Sequence, residues 1–459
     1  MRLRARWVVP VEGPVIEHGE VVVEDTKIAA VRPAASGSAP TTDAIDFGDA
    51  MILPGFVNVH AHLDYTALRG LVEDLPMLPW ILSLMEYKTH LTEDEWAASA
   101  LIGVAEAISA GITTIGDCTD SGASVTALAR SGVRAIAYQE VFGIAADEPV
   151  EATLASLDRT LQRHRSAAQG TWVTPGVSPH AAYTVRPELM RALVDHTAQT
   201  STPLCIHAAE SNEEAELVRS GSGAIAERLK ARRIRWSAGG TSVIRYLSDL
   251  GALTDRTLLV HCVQVSSSDH ALLGPSGASI AYCPKSNAKL GNGAAPLTWL
   301  MGSVRDPGGA TMDRSAFGAS RLGLGTDSVV SNNTMDMIED MRFGALLERA
   351  RRRSAATPTA ADMVTIATLG GARALGLARV VGSLVPGKAA DITVVSLRKP
   401  GRWPSCDPCN ALVWSCSAND VAYTMVGGQV LKDRRGLRIP GIAAARRKLR
   451  RLSASLARR

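Results

Sequence analysis

The stretch Met51-Ile-Leu-Pro54-Gly55-Phe-Val-Asn58-Val-His60-Ala-His62 decides how the rest of the chain reads. Its 55–60 portion is a short β-rich run that ends at a histidine, with a second histidine two residues on. Longer Ala/Leu-rich segments of helical period alternate with runs of this kind. Moving outward toward the C-terminus, the rhythm returns at residues 113–117, 135–141, 172–178, 204–207, 257–261, 279–283 and 322–326. Eight such repeats close a parallel barrel. The segments between them carry helix signals. Thr92 precedes Glu95 at capping-box spacing, an apolar face runs through Ile108, and Gly111 stands past its end. Residues 186–199 and 335–353 predict two more helices.

Toward the N-terminus, residues 5–11, 21–24 and 27–31 predict short strands, with Asp25-Thr26 turning the last two. After about residue 376 the β pattern returns at 382–391, 392–395, 411–413 and 423–426. The expected architecture is therefore α/β: a (β/α)8 TIM-type barrel over 54–376 with a small β-sandwich domain built from both chain ends. That domain takes 1–53 and 377–435, and a basic tail occupies 436–459. Segment 302–320 is long for a connection and rich in Gly, Asp, Arg and Ser. Because it precedes the eighth strand, it is expected at the N-terminal face of the barrel, away from an active site.

Composition narrows the function classes. The 459 residues are 46% hydrophobic and 20% charged, which fits a globular chain. The net charge of +4 is uneven, since eight of the 49 basic residues fall in 436–459 with no acidic one. The remainder holds 41 basic against 45 acidic residues, so no extended nucleic-acid surface is expected on it. The tail predicts a helix over 442–456 with Leu449, Leu452 and Leu456 on one face, packed on the small β domain or else a frayed solvated end, and in either case dispensable for turnover. Of seven cysteines, Cys205 and Cys262 sit in apolar runs as small buried hydrophobes. Cys406-Asp-Pro-Cys409 lacks the second pair that a structural zinc site needs. The opening MRLRARWVVPVEG is too briefly apolar for a signal segment, and no window approaches the ~18 apolar residues of a membrane span. A soluble cytoplasmic protein acting on a small molecule, with neither nucleic acid nor membrane as partner, is the expectation.

Chemistry concentrates where barrels place it, at the C-terminal ends of strands. The first run leads into His60 and His62, the fourth ends near His180, the fifth at His207 with Glu210 beyond, the sixth at His261 and the eighth at Asp327. Histidines two apart on a strand point to the same side. Neutral imidazoles and a carboxylate suit Zn²⁺ or Fe²⁺, so His60, His62, His207 and Asp327 form a candidate set for one divalent metal, zinc by default and iron as the alternative. A metal so held acidifies its bound water. Glu210, three residues after His207, is placed to shuttle protons, and His261 to hydrogen-bond the attacking water or a developing oxyanion. Tyr65 and Trp80 are candidate walls for a flat substrate.

Six motifs carry a resemblance across nearly the whole chain: Pro54-Gly55-Phe-Val-Asn58-Val-His60-Ala-His62, Ser178-Pro-His180, His207-Ala-Ala-Glu210-Ser, His261-Cys-Val, Cys283-Pro-Lys-Ser286-Asn287 and Leu324-Gly325-Thr-Asp327-Ser. In this order they resemble the amidohydrolase superfamily, in its branch of cytosine, guanine and adenosine-derivative deaminases and triazine hydrolases. Tyr138-Gln139-Glu140-Val141-Phe142-Gly143 and Arg219-Ser220-Gly221-Ser222-Gly223 are further similar to aminodeoxyfutalosine deaminases and methylthioadenosine/S-adenosylhomocysteine deaminases. Gln264 departs from relatives that carry another His there. The resemblance implies a mononuclear metal site, hydrolytic attack at an aromatic C–N centre, and substrate contact by His180. It also implies a ribose-binding acid after the first strand, a role that falls to Glu86, and a homodimer. The expected activity is release of ammonia from an adenine-type nucleoside or related amino-heterocycle. Alternatives are a triazine-type chlorohydrolase or N-alkylamine hydrolase, a guanine- or cytosine-type deaminase, and, from another class, a non-catalytic binding barrel.

Overall fold

The computed structural model describes residues 1–34, 44–145, 148–302 and 321–456. Eight parallel strands form the central sheet: β6 (Phe56–Ala61), β7 (Ile112–Thr119), β8 (Arg134–Val141), β9 (Val173–Pro179), β10 (Leu204–Ala208), β11 (Thr257–His261), β12 (Ser279–Tyr282) and β13 (Leu322–Leu324). Each pairs with the next, as the eight sequence runs predict. The last meets the first where Ala61 bridges Asp327 and the Asp327 N–H donates to the His60 carbonyl at 2.9 Å. Gly325 permits that closure, since a Cβ there would lie 2.9 Å from Cys283 Sγ and 3.0 Å from His60 Cβ. Val57, Val59, Cys118, Tyr138, Cys205 and Val260 belong to one buried cluster, and cysteines 205 and 262 are free and buried as expected.

Five N-terminal strands, β1 (Arg2–Val8), β2 (Ile16–Glu24), β3 (Lys27–Pro33), β4 (Ala44–Asp46) and β5 (Ala50–Pro54), join four late ones. These are β14 (Ile392–Ser396), β15 (Val421–Val426), β16 (Gln429–Asp433) and β17 (Gly436–Leu437). Together they make one nine-stranded sheet, in which β14 pairs antiparallel with β5 and ties the two chain ends together. Leu3, Val21, Ile52, Val394 and Met425 give it an apolar cluster of its own. Arg134 at the base of β8 locks the sheet to the barrel through a two-pronged pair with buried Asp391. No helix among the described residues is long and apolar enough to cross a membrane.

The predicted helices appear at Glu93–Ser109, capped by Thr92 and Glu95, and at Pro187–Gln199, Met337–Arg352 and Ile442–Leu456. Three expectations need correction. Residues 411–413 lie in a helix, Pro408–Ser415, because Asp407 accepts the Asn410 N–H at 2.6 Å and Pro408 opens the first turn. Residues 382–391 form turns and irregular backbone in place of a strand. The leucines of the Ile442–Leu456 helix leave the β sheet and pack on the barrel, against the Glu93–Ser109 helix and the 3-10 helix Leu63–Leu68. The reason is topological: the chain leaves the sheet at β17, beside the Glu93–Ser109 helix, and Lys448 pairs with Asp94 at 2.7 Å. Segment 302–320, apart from Gly302, lies outside the described residues.

Candidate active site

The strand ends converge on the floor of a cavity of about 830 Å³. His60 and His62 reach Asp327 Oδ1 through Nε2 at 3.3 and 3.6 Å. The ligating atoms of His60, His62 and His207 lie within 4.8 Å of one another, and so do those of His60, His261 and Asp327. Several of these residues occupy strained backbone. Ala209, His261, Cys262 and Asp327 have φ of 52°, 76°, 47° and 60°, values that cost a non-glycine residue about 1–3 kcal/mol. Hydrogen bonds from the Cys262 N–H to the Ala208 carbonyl and from the Val263 N–H to the Ala209 carbonyl hold the turn after β11.

Most of these side chains have a fixing partner. His207 Nδ1 sits 3.0 Å from the His180 carbonyl, which can only accept, so Nδ1 carries the proton and Nε2 is the free donor atom. His261 Nδ1 donates to Asn287 Oδ1 at 2.9 Å, which likewise leaves Nε2 as an acceptor, 3.6 Å from Glu210 Oε1. Ser286 and Ser331 donate to Asp327 Oδ2 at 2.5 and 3.3 Å, and the Ser328 N–H to Oδ1 at 2.7 Å. Asn292 donates to Glu210 Oε1 at 3.3 Å, while Gln264 holds the Asn292 carbonyl at 2.8 Å. The residue that departs from the family pattern thus supports Glu210 through an intermediary.

Burial and neighbouring imidazoles hold His62 and His207 well below the ordinary histidine range, neutral and able to ligate. Burial draws His261 down to about 4, against the pull of Asp327. Burial opposes charge on His60 too, yet Asp327 and then Cys205 raise it to about 10, while Asp327 stays well below the carboxylate range. His60 and Asp327 therefore form a charged pair whose proton a divalent cation would displace. His60 Nε2 is also a buried atom without a hydrogen-bond partner among the described residues. Three imidazoles, one of them carrying that orphaned nitrogen, and one carboxylate fit one divalent cation. Burial, followed by Asp327 and Glu214, pushes Glu210 well above the usual carboxylate range, which suits a proton carrier.

Of the remaining candidates, Tyr65, Trp80 and His180 line the cavity wall. Tyr65 lies parallel to His62 with centroids 5.2 Å apart, and Trp80 lines the same cavity. His180 lines it too, with Nδ1 fixed 2.9 Å from Thr184 Oγ1. Glu86 is not among the residues that line the cavity. On the Met77–Lys88 helix it is exposed, while Leu84, Met85 and Lys88 line the cavity, so helical periodicity turns its carboxylate away. Asn287, Ser286, Asn292 and Glu140 also belong to the site, although motif spacing alone marks no role for any of them.

A family model described as "Amidohydrolase family" matches residues 51–431. A 5-methylthioadenosine/S-adenosylhomocysteine deaminase of Nitratidesulfovibrio vulgaris is 32% identical over 447 residues, 95% of this chain and 93% of its own. The protein of the same name from Pelotomaculum thermopropionicum is 31% identical, over 94% and 93%. An adenosine deaminase from Xanthomonas campestris, solved with bound zinc, superposes with a TM-score of 0.85 at 25% identity over 100% of this chain and 98% of that one. An atrazine chlorohydrolase from Arthrobacter aurescens, complexed with zinc, shares the fold with a TM-score of 0.80 at 21% identity, over 98% and 99%.

Proposed function

Since the chain belongs to the amidohydrolase family, we propose that it is a metal-dependent hydrolytic deaminase that releases the 6-amino group of an adenine-type nucleoside as ammonia. The observation that carries this reading is the meeting of His60, His62, His207 and Asp327 beside a protonatable Glu210 at the floor of a nucleoside-sized cavity. Relatives named for deamination of 5-methylthioadenosine and S-adenosylhomocysteine, similar over nearly their full length, support the substrate class and a hydrolase acting on carbon–nitrogen bonds.

His60, His62, His207 and Asp327 would hold the metal, zinc by the precedent of the solved neighbours and iron as a second fit. Bound there, it supplies a Lewis acid that lowers the pKa of water to near neutrality. Glu210, kept protonated at the start by its raised pKa, gives that proton to the ring nitrogen beside the attacked carbon and takes one from the attacking water; it passes this one to the departing amine and regains another from the new hydroxyl as the carbonyl forms. His261 enters with Nε2 unprotonated, because Asn287 holds the proton on Nδ1 and burial keeps the ring neutral. That state supports the role of accepting from the attacking water over that of donating to an oxyanion. His180 and Tyr65 hold the purine against the floor.

Ammonia release from adenosine, 5-methylthioadenosine, S-adenosylhomocysteine and aminodeoxyfutalosine, set against guanine, cytosine and triazines, tests the substrate class. One of the adenine nucleosides should lead. Chloride or alkylamine release from a triazine with inert nucleosides would overturn the proposal. Glu210→Gln should keep its metal and lose about 10²–10⁴-fold in turnover, the range for a removed general acid–base. Near-normal turnover in that variant would remove Glu210 from the mechanism.

A further inference from the structure

The cavity contains a buried acid that no described residue satisfies. Glu140 lies near the end of β8, lines the cavity and is 6% exposed. Neither Oε1 nor Oε2 has a hydrogen-bond partner among the described residues. The ionisable group paired with it is His180, whose Nε2 stands 4.0 Å from Oε1, beyond hydrogen-bonding distance. The surrounding donors are committed elsewhere. Lys88 pairs with Asp120 and donates to Tyr65 Oη at 2.8 Å. The Gln139 amide donates to the backbone carbonyls of Asp120 and Glu140. His180 Nδ1 faces Thr184. Burial, then Asp120, pushes the Glu140 carboxyl up to about 8, and a pair of donors arriving with a ligand would favour its ionised, doubly accepting form. Buried polar atoms are nearly always paired, and one left unpaired in a ligand cavity marks where a ligand supplies the partner.

The position of Glu140 narrows that partner. The His180 ring is tilted 33° to the His207 ring with centroids 4.7 Å apart, and a Glu140 oxygen lies within 4.8 Å of ring nitrogens of both, so Glu140 stands at the edge of the candidate metal ligands. A heterocycle reacting beside His207 and Glu210 would bring its directly attached group to this place. Two adjacent acceptor oxygens match two adjacent donors, and Lys88, Arg228 and Arg232 on the same cavity wall disfavour a cationic group. We propose that Glu140 is a substrate-recognition residue whose two carboxylate oxygens accept hydrogen bonds from the vicinal hydroxyls of a ribonucleoside. This rests on the deaminase reading above, and it moves sugar recognition from exposed Glu86 to the end of the third barrel strand.

The test uses the zinc-loaded enzyme and the adenine ribonucleoside it turns over best, together with the 2′-deoxy, 3′-deoxy and 2′,3′-dideoxy forms. Wild type should prefer the diol over the dideoxy form by about a hundredfold or more in kcat/KM, since a site built around a hydroxyl rejects its absence. Glu140→Ala should lose about a hundredfold on the ribonucleoside, mainly in KM, and less than about threefold on the dideoxy form, so that the preference collapses. Glu140→Gln, the same size, decides on the same ratio if the alanine variant fails to fold. Equal losses on both substrates, or an intact diol preference, would overturn the assignment and leave deamination standing. Two metal ions per wild-type chain, falling to one in Glu140→Ala, would overturn it by making Glu140 a ligand. Failure of wild type to release ammonia from every adenine nucleoside would overturn the deaminase reading, and the assignment with it.

Discussion

At the cavity floor, functional side chains leave barrel strands or the turns directly after them, and most have a hydrogen-bonding partner that fixes their orientation. On the outer wall, the surface comes from the helices Met77–Lys88 and Gly223–Ala231, with Leu452 and Leu456 of the last helix packed into the same cluster as Tyr65 and Trp80. The floor is polar, buried and over-determined by hydrogen bonds. The wall is largely apolar and held by side-chain packing. Chemistry needs atoms placed to fractions of an ångström, whereas substrate accommodation needs shape, and the two regions divide those tasks. Perturbing the floor should therefore appear in metal affinity or kcat, and perturbing the wall in KM.

Ser286→Ala tests the floor with the largest effect of this series. Ser286 Oγ lies 2.5 Å from Asp327 Oδ2 and is the shorter of two hydroxyl contacts to it. Its loss should weaken metal binding about 10–100-fold, the cost of removing a partner that orients a ligand. Competition with a chelator measures this, and excess metal should restore turnover. Unchanged affinity would mean that Ser331 and the Ser328 N–H suffice to position Asp327.

Removing residues 442–459 tests the wall. The sequence suggests that the basic tail lies outside the machinery, but its leucines join the cluster behind Tyr65, Met77 and Trp80. A chain ending at Gly441 should keep its metal and show a KM raised about tenfold, with kcat less affected, because misplaced binding elements degrade alignment before chemistry. Leu452→Ala should reproduce the direction more weakly, and Arg450→Ala on the exposed face should change neither constant. A truncated protein with wild-type KM would restore the view of the tail as an appendage.

The same division explains what is legible in the sequence. His60, His62, His207 and Asp327 are readable because a barrel collects strand ends whatever the intervening sequence does. Nothing local could place Glu86. A helix after the first strand is foreseeable, but its rotation about its axis is set by which neighbours it packs on. Glu140 does leave a trace, a charge inside a run whose strand is buried along its length. Residues 411–413 mislead because a short apolar run reads as strand or helix alike, and the preceding Asp407-Pro408 is the stronger cue. The Lys88–Asp120 pair joins residues far apart in sequence and leaves no local trace.

The smallest expected effect lies beneath the floor. Asn332 donates to the Thr326 carbonyl at 2.7 Å and to the Asp340 carboxylate at 3.1 Å, so the turn carrying Asp327 rests on a buried acid. Burial is the largest influence on Asp340 and raises it to about 8. A folded-state pKa above the unfolded one means that the folded chain holds its proton more tightly. Stability must then fall as pH rises from about 4 toward 8, and level off once both states are ionised. Asp340→Asn keeps an acceptor and has no proton to lose. Its melting temperature should match wild type near pH 5 and exceed it by a few degrees near pH 8.5. Kinetic constants at neutral pH should stay within about twofold, because Asn332 and the Thr326 backbone remain in contact. Parallel melting curves across that range would show that Asp340 is already ionised in the folded protein. The floor would then be braced by a charge that the Asn332 hydrogen bonds satisfy, and not by a neutral acid.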